Sequence, residues 1–248
     1  ILRHAYHGAF AKIEVLYGEI CNLYGDLANV EYLSKIKDDV TIVETSLKQR
    51  PKFLDEEIDL VYMGSCPFLK EELIISQLLP YKKEIEKKIL ENQLFLVTGT
   101  ACEIFGQYIL EQDTDKRIKG LGIFDYYSYR FKNRHNSFFL GEFQDFKIVG
   151  NKDQFFFLKD VNAPFIKVIK GYGNNPDDIF EGLAINQFYL TSLLGPFLIL
   201  NPPFTKYLLS KKYSDTSFRF EKEAYEAYQY RLNDLEKDDA RILMGDHG

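Results

Sequence analysis

The polarity pattern changes near residue 120. Before it, short apolar runs alternate with amphipathic stretches. KIEVLY (12–17), VTIVET (40–45), IDLVYMG (58–64) and QLFLVTG (93–99) have the length and apolar content of buried strands. Between them, LANVEYLSKI (27–36) and KEELIISQLLPYKKEIEKKILEN (70–92) repeat apolar residues at helical spacing, with Pro80 expected to kink or split the longer one. ACEIFGQYILEQ (101–112) reads as the helix after the fourth strand. Such alternation predicts βαβ units around a parallel sheet. Beyond residue 120 the runs are short, aromatic and closely spaced: SFFLGEF, FKIVG, QFFFL and FIKVIKG predict antiparallel strands or hairpins added to that sheet. INQFYLTSLLG reads as a last buried strand and its turn, PPFTKYLLSKK as a short helix opened by prolines, and the charged segment from about residue 217 as a helical tail that docks or contacts a partner.

Composition narrows the function classes. A chain of 248 residues with 46% hydrophobic and 15% aromatic content can bury a full α/β core. A net charge of -6 gives no electrostatic support to nucleic-acid binding. No run approaches the roughly 18 apolar residues of a membrane span, and the start, which lacks a Met and reads as trimmed, has no basic-then-apolar signal pattern. The three cysteines, Cys21, Cys66 and Cys102, are odd in number and widely spaced, which fits a reducing cytoplasm and argues against a disulfide framework or a zinc site.

Ligands of doubly wound sheets sit at the carboxyl ends of the strands. That singles out four loops, 21–29, 64–69, 98–103 and 191–201. The P-loop, G-x-G-x-x-G, G-x-S-x-G and HExxH motifs are all missing; the glycines of GYGNN (171–175) read as a turn. Asp26 is placed to cap a helix, Glu103 to sit in the first turn of one, and Cys66 to stand exposed before Pro67 at a helix start. Of His4, His7, His135 and His247, only His135 falls inside the predicted domain, as a solvated loop residue. Backbone N–H groups of the second and third loops could form an oxyanion hole, with Gly64, Ser65 and Thr100 as its residues.

At these loops the sequence resembles the class I glutamine amidotransferases of the cobyric acid synthase type, above all the glutaminase subunits that serve lipid II amidation. CNLYGDLANVEYL is similar to an L-N-x-Y-G-D-x-x-N-V signature, LVYMGSCPFLKEE to a strand and glycine-rich loop, and LFLVTGTACEIFGQYI to a nucleophile elbow of the form V-C-G-G-Y-Q-L-L-G. LGIFDYYSYRFKNRH, GYGNNPDDIFEG and FYLTSLLGPFLILNPPFTKYLL continue the likeness, which covers about residues 12–212 as one class I glutamine amidotransferase-like domain and leaves 213–248 as a charged helical tail. The resemblance implies a three-layer α/β sandwich with a mostly parallel, flavodoxin-like sheet, added antiparallel strands and a C-terminal helical extension.

The resemblance also implies a chemistry. In this family a Cys thiolate attacks the side-chain amide of glutamine, a His shuttles the proton, and ammonia passes to a Mur ligase-like synthetase that amidates a peptidoglycan precursor; no cofactor is involved. Carried over residue by residue, the nucleophile falls on Gly99, the His on Leu194, the elbow Gln on Glu103 and a substrate-binding Arg on Arg134. Two expectations follow: a glutaminase that uses an unusual thiol, with Cys102 the catalytic candidate, or a degenerate, non-catalytic homologue that binds a partner or small ligand in a structural or regulatory role.

Overall fold

The computed structural model describes residues 11–112, 114 and 116–237; His4, His7 and His247 and the outer end of the charged tail lie outside these. Strands β1 (Ala11–Leu16), β2 (Val40–Thr45), β3 (Leu60–Met63), β4 (Phe95–Thr98) and β11 (Phe188–Thr191) pair in parallel in the order β2-β1-β3-β4-β11. This is the flavodoxin-like order. Every residue of β3, β4 and β11 is buried, as strands covered on both faces require.

Helices α2 (Phe68–Leu78) and α3 (Lys82–Leu90) cover one face, separated at Pro80 by a 3-10 turn over Leu79–Tyr81. Their Ile74, Ile75, Ile85 and Ile89 meet Val61, Phe95, Val97 and Phe188 from the sheet. The opposite face carries α1 (Ala28–Ile36), α4 (Phe197–Leu200) and α5 (Pro202–Leu209), whose Val30, Leu33, Phe197, Phe204 and Leu208 pack on Ile13, Tyr62, Leu96 and Tyr189. The three layers are those expected.

The second half of the chain widens the sheet to 11 strands among the described residues. Strands β7 (Tyr127–Phe143) and β8 (Phe146–Lys159) form a long antiparallel hairpin, and β9 (Pro164–Lys170) and β10 (Phe180–Ile185) join it to β11. Helix α6 (Glu221–Glu236) lies on this hairpin, setting Tyr228, Leu232 and Leu235 against Leu140 and Val149.

The expected helix over 101–112 does not form. Residues Gly99–Glu103 make a 3-10 turn, and the chain then enters β5 (Tyr108–Glu111), which runs parallel to β7 and antiparallel to β6 (Arg117–Lys119). Two glycines cause the departure. A Cβ on Gly106 would stand 2.7 Å from the Tyr126 ring, and one on Gly120 would stand 2.2 Å from the Gly106 carbonyl oxygen. These close backbone approaches hold the chain against β7 instead of letting it wind, and the run QYIL then follows its strand propensity.

Candidate functional site

The carboxyl ends of β1, β3, β4 and β11 bring the four predicted loops together. Leu23 N–H donates to the Ser65 carbonyl (3.0 Å), tying the first loop to the second. Thr100 Oγ1 accepts from Cys66 N–H (2.8 Å) and donates to the Cys66 carbonyl (2.6 Å), tying the second to the third. Leu194 N–H donates to the Asn151 carbonyl (2.9 Å), joining the fourth to the β7–β8 hairpin.

Beneath these loops lies a buried polar network. Asp26 is 1% exposed and caps no helix. Its carboxylate instead accepts from Tyr24 N–H (3.1 Å), Ser65 Oγ (3.2 Å) and Thr98 Oγ1 (3.3 Å). The Tyr62 hydroxyl donates to the Asp26 carbonyl and lies 2.9 Å from Thr98 Oγ1, while Asn29 donates to Tyr62 and accepts from Leu198 N–H at 2.8 Å. Strands β3 and β4 and the start of α1 are thus cross-linked directly below residue 99. Gly64 has to be glycine here, because a Cβ would come 2.5 Å from Asp26 Cβ and 2.7 Å from the Cys21 carbonyl.

Gly99 takes φ +62°, the left-handed conformation of a sharp strand-to-turn corner. A Cβ built there would stand 1.8 Å from Ser65 Oγ and 3.5 Å from Leu194 Cδ2. Residues 99 and 194, far apart in sequence, therefore face one another, and the Ser65 hydroxyl fills the space into which a side chain at 99 would grow.

The thiols lie elsewhere. Cys21, Cys66 and Cys102 are free and wholly buried. Cys66, expected to be exposed, is shut in because Thr100 folds over it. Its hydrogen bond to Cys21 and its burial push its thiol far above the usual range. Burial, reinforced by the Glu181 charge, does the same for Cys102, whose carbonyl accepts the Tyr126 hydroxyl (2.5 Å). Neither is poised as a thiolate. We expect iodoacetamide to leave Cys66 and Cys102 unmodified while the fold is intact and to label them once it is unfolded in denaturant, read by peptide mass mapping; native labelling of Cys102 would contradict this placement.

Other expectations are redrawn. Glu103 does not open the expected helix: it ends the 3-10 turn, buried, accepting from Ser128 Oγ (2.6 Å) and Arg130 Nε (3.0 Å). Arg134 is exposed on β7 and forms a two-pronged pair with Asp153. His135 is not a solvated loop residue; it is half-buried on β7, edge-on to Phe131 with centroids 4.5 Å apart.

Two buried charge clusters escaped the sequence reading. In one, Arg130 pairs with Glu71 and Glu103, with Glu111 at 3.6 Å. In the other, Lys152 donates to the Gly173 carbonyl (2.6 Å) and stands 3.5 Å from Glu181, which also accepts from Thr191 Oγ1, Ser192 N–H and Ser192 Oγ. Burial lowers the Lys152 pKa, opposed by Glu181. The only signal for either cluster was strand alternation, which puts Ser128 and Arg130 on the face opposite Tyr127, Tyr129 and Phe131. Among the described residues no group of His, Cys, Asp and Glu is arranged to hold a metal ion.

No family model matches the chain. Among curated proteins it is 28% identical over 202 residues to the lipid II isoglutaminyl synthase (glutamine-hydrolyzing) subunit GatD of Streptococcus pneumoniae, an overlap that covers 77% of this chain and 75% of that one. To the GatD subunit of Staphylococcus aureus it is 28% identical over 206 residues, covering 81% and 83%. The chain is a homologue of GatD. Glutamine amidotransferase structures overlay it at lower identity: one at 11% with a TM-score of 0.49 over 80% of this chain and 97% of its own, and one from Thermotoga maritima at 12% with a TM-score of 0.47 over 92% and 99%. The facing residues Gly99 and Leu194 are those onto which the family resemblance of the sequence carries a Cys and a His. No described helix is long and apolar enough to cross a membrane.

Proposed function

We propose that this chain is a glutamine amidotransferase-like subunit of the lipid II-amidating type that has lost glutamine hydrolysis and acts in the cytoplasm by binding a Mur ligase-like synthetase. The single observation behind the loss is the Ser65 hydroxyl, 1.8 Å from where a Cβ on residue 99 would be. A nucleophile there needs that space, and a proton shuttle needs a titratable group where Leu194 stands. Polar cross-links hold the plug: Ser65 donates to a buried Asp26 that Tyr24 and Thr98 also engage. The catalytic alternative depends on Cys102, which burial keeps from ionising and from meeting a substrate.

The test is glutamate release from glutamine by the purified chain, alone and with the Mur ligase-like synthetase, alongside size-exclusion chromatography of the mixture. We expect release at background in both assays and a stable complex. Turnover that disappears in a Cys102→Ser variant would restore the catalytic alternative, and failure of the two chains to co-elute would remove the binding role.

A further inference from the structure

Two buried glutamates join the loops that close the elbow. Glu71 lies in the first turn of α2, which follows the Gly64–Cys66 loop, and Glu103 ends the 3-10 turn that starts at Gly99. Both are wholly buried. Beside them the Cys66 backbone is bonded to Thr100, and Ser65 fills the space into which a side chain at 99 would grow. Whatever ties Glu71 to Glu103 therefore helps hold the plug in place.

The charges around this pair do not balance. Arg130, from β7, hydrogen-bonds Glu71 through Oε2 alone and both oxygens of Glu103 (3.0 and 3.3 Å), and stands 3.6 Å from Glu111 of β5. One guanidinium thus faces three carboxyl groups. The other groups around the pair add no cation: the Cys66 thiol near Glu71, and the Ser128 hydroxyl, the Cys102 thiol and the Tyr126 hydroxyl near Glu103. On the outer side, Lys116 is paired with Glu72. Glu71 Oε1 has no hydrogen-bond partner as a carboxylate oxygen, yet Glu71 lies within hydrogen-bonding range of Glu103. Two acceptors bond one another only when one of them carries a proton.

We propose that Glu71 and Glu103 share a single proton, carried on Glu71 Oε1, and that this proton is a pH-sensitive bolt between α2 and the elbow turn. The proton accounts for the unpartnered oxygen, which as a hydroxyl donates to Glu103, and it halves the negative charge that the dry site must hold. Burial first, then the Glu103 charge, raises the Glu71 pKa well above the ordinary glutamate range, so the proton stays on where exposed glutamates have lost theirs. As pH rises through the folded value the proton leaves, the two carboxylates repel, and the loop that carries Ser65 loosens from the corner at 99. The bolt rests on the plugged-elbow reading for this consequence. Its tests read the proton and the loop without a glutamate assay, so either idea can fail alone.

Infrared spectra of the full chain in heavy water at about pH 7 should show the C=O stretch of a protonated carboxyl, which exposed carboxylates, ionised there, do not give. Glu71→Gln should remove that band; its amide still donates to Glu103 and accepts from Arg130 but cannot ionise. Hydrogen exchange over residues 64–71, corrected for the intrinsic rate, is followed from about pH 6 to about pH 9. Protection should fall about tenfold per pH unit above the folded value in the unaltered chain and stay level in Glu71→Gln. Exchange over α6, which touches neither glutamate, should stay level in both and separates loosening of the loop from global unfolding. No carboxyl band, a band that survives Glu71→Gln, level protection in the unaltered chain, or an equal fall in both chains would each overturn the proposal. If the variant does not fold, the band and the exchange of the unaltered chain still decide it.

Discussion

Replacing Arg130 by methionine is expected to cost about 3–5 kcal/mol of folding stability, the range for breaking a buried ion pair from one side. The guanidinium donates to Glu103 at 3.0 Å, hydrogen-bonds Glu71, and lies 4.2 Å over the Phe68 ring. Both carboxylate side chains are 0% exposed, Glu71 Oε1 has no hydrogen-bond partner, and without Arg130 Glu103 keeps the neutral Ser128 hydroxyl. Methionine keeps the stem's packing but leaves two carboxyl groups in a dry site with no cation to balance their ionisation.

The effect depends on pH, and its sign follows from the proton count. Burial first, then the Glu103 charge, raises the Glu71 pKa well above the ordinary glutamate range; burial also raises Glu103, against the pull of Arg130. The folded state therefore keeps a proton that the unfolded chain has released. Stability from that proton is complete below the ordinary glutamate range and is lost as pH rises through the folded value. Without Arg130 both folded values rise further. In urea melts, the deficit of the Arg130→Met variant should be smallest at about pH 5 and grow toward about pH 8. Adding Glu71→Gln, which removes one of the two charges, should recover part of it. A deficit that did not change with pH would mean that lost packing, rather than uncompensated charge, explains the destabilisation.

Much of the fold was legible because burial is written in hydrophobic pattern. The runs behind β3, β4 and β11 are apolar on both faces, and parallel strands need that. The Pro80 break and the proline-opened α5 follow from the missing N–H and fixed φ of proline. The helix read over 101–112 failed because two close backbone approaches, at Gly106 and Gly120, involve partners distant in sequence that no local window contains. Asp26 misled for a related reason: its position before α1 fits a cap, but Ser65 and Thr98, brought in by the sheet, compete for its oxygens. For the site, the strand ends located the loops and the family resemblance pointed to positions 99 and 194, whose approach to one another is seen in the structure. Neither could show that Ser65 points into the gap between those positions, since that depends on how the β3 loop folds over the β4 corner.

That plug makes a gain of function the sharpest test of the elbow. A chain with Gly99→Cys, Leu194→His and Ser65→Gly together should release glutamate from glutamine in the presence of the synthetase, whereas Gly99→Cys with Leu194→His alone should not. The corner at 99 already has the φ of +62° that aims a side chain out of the turn, and Leu194 Cδ2 lies 3.5 Å from the Cβ position. A thiol and an imidazole placed there would be neighbours, so the base could take the thiol proton. Ser65 Oγ, at 1.8 Å, allows no such Cβ without moving, and its hydrogen bond to Asp26 resists that movement. A glycine at 65 vacates the space and leaves Asp26 accepting from Tyr24 and Thr98. The left-handed backbone makes any side chain at 99 cost about 1–3 kcal/mol, which thermal melts will register. Omitting Leu194→His from the triple variant should slow turnover by about 10²–10⁴-fold, the usual worth of a positioned acid–base group. If the triple variant folds and is alkylated at position 99 by a glutamine-site reagent, yet releases no glutamate beside the synthetase, then the corner has lost more than its nucleophile, its base and its space.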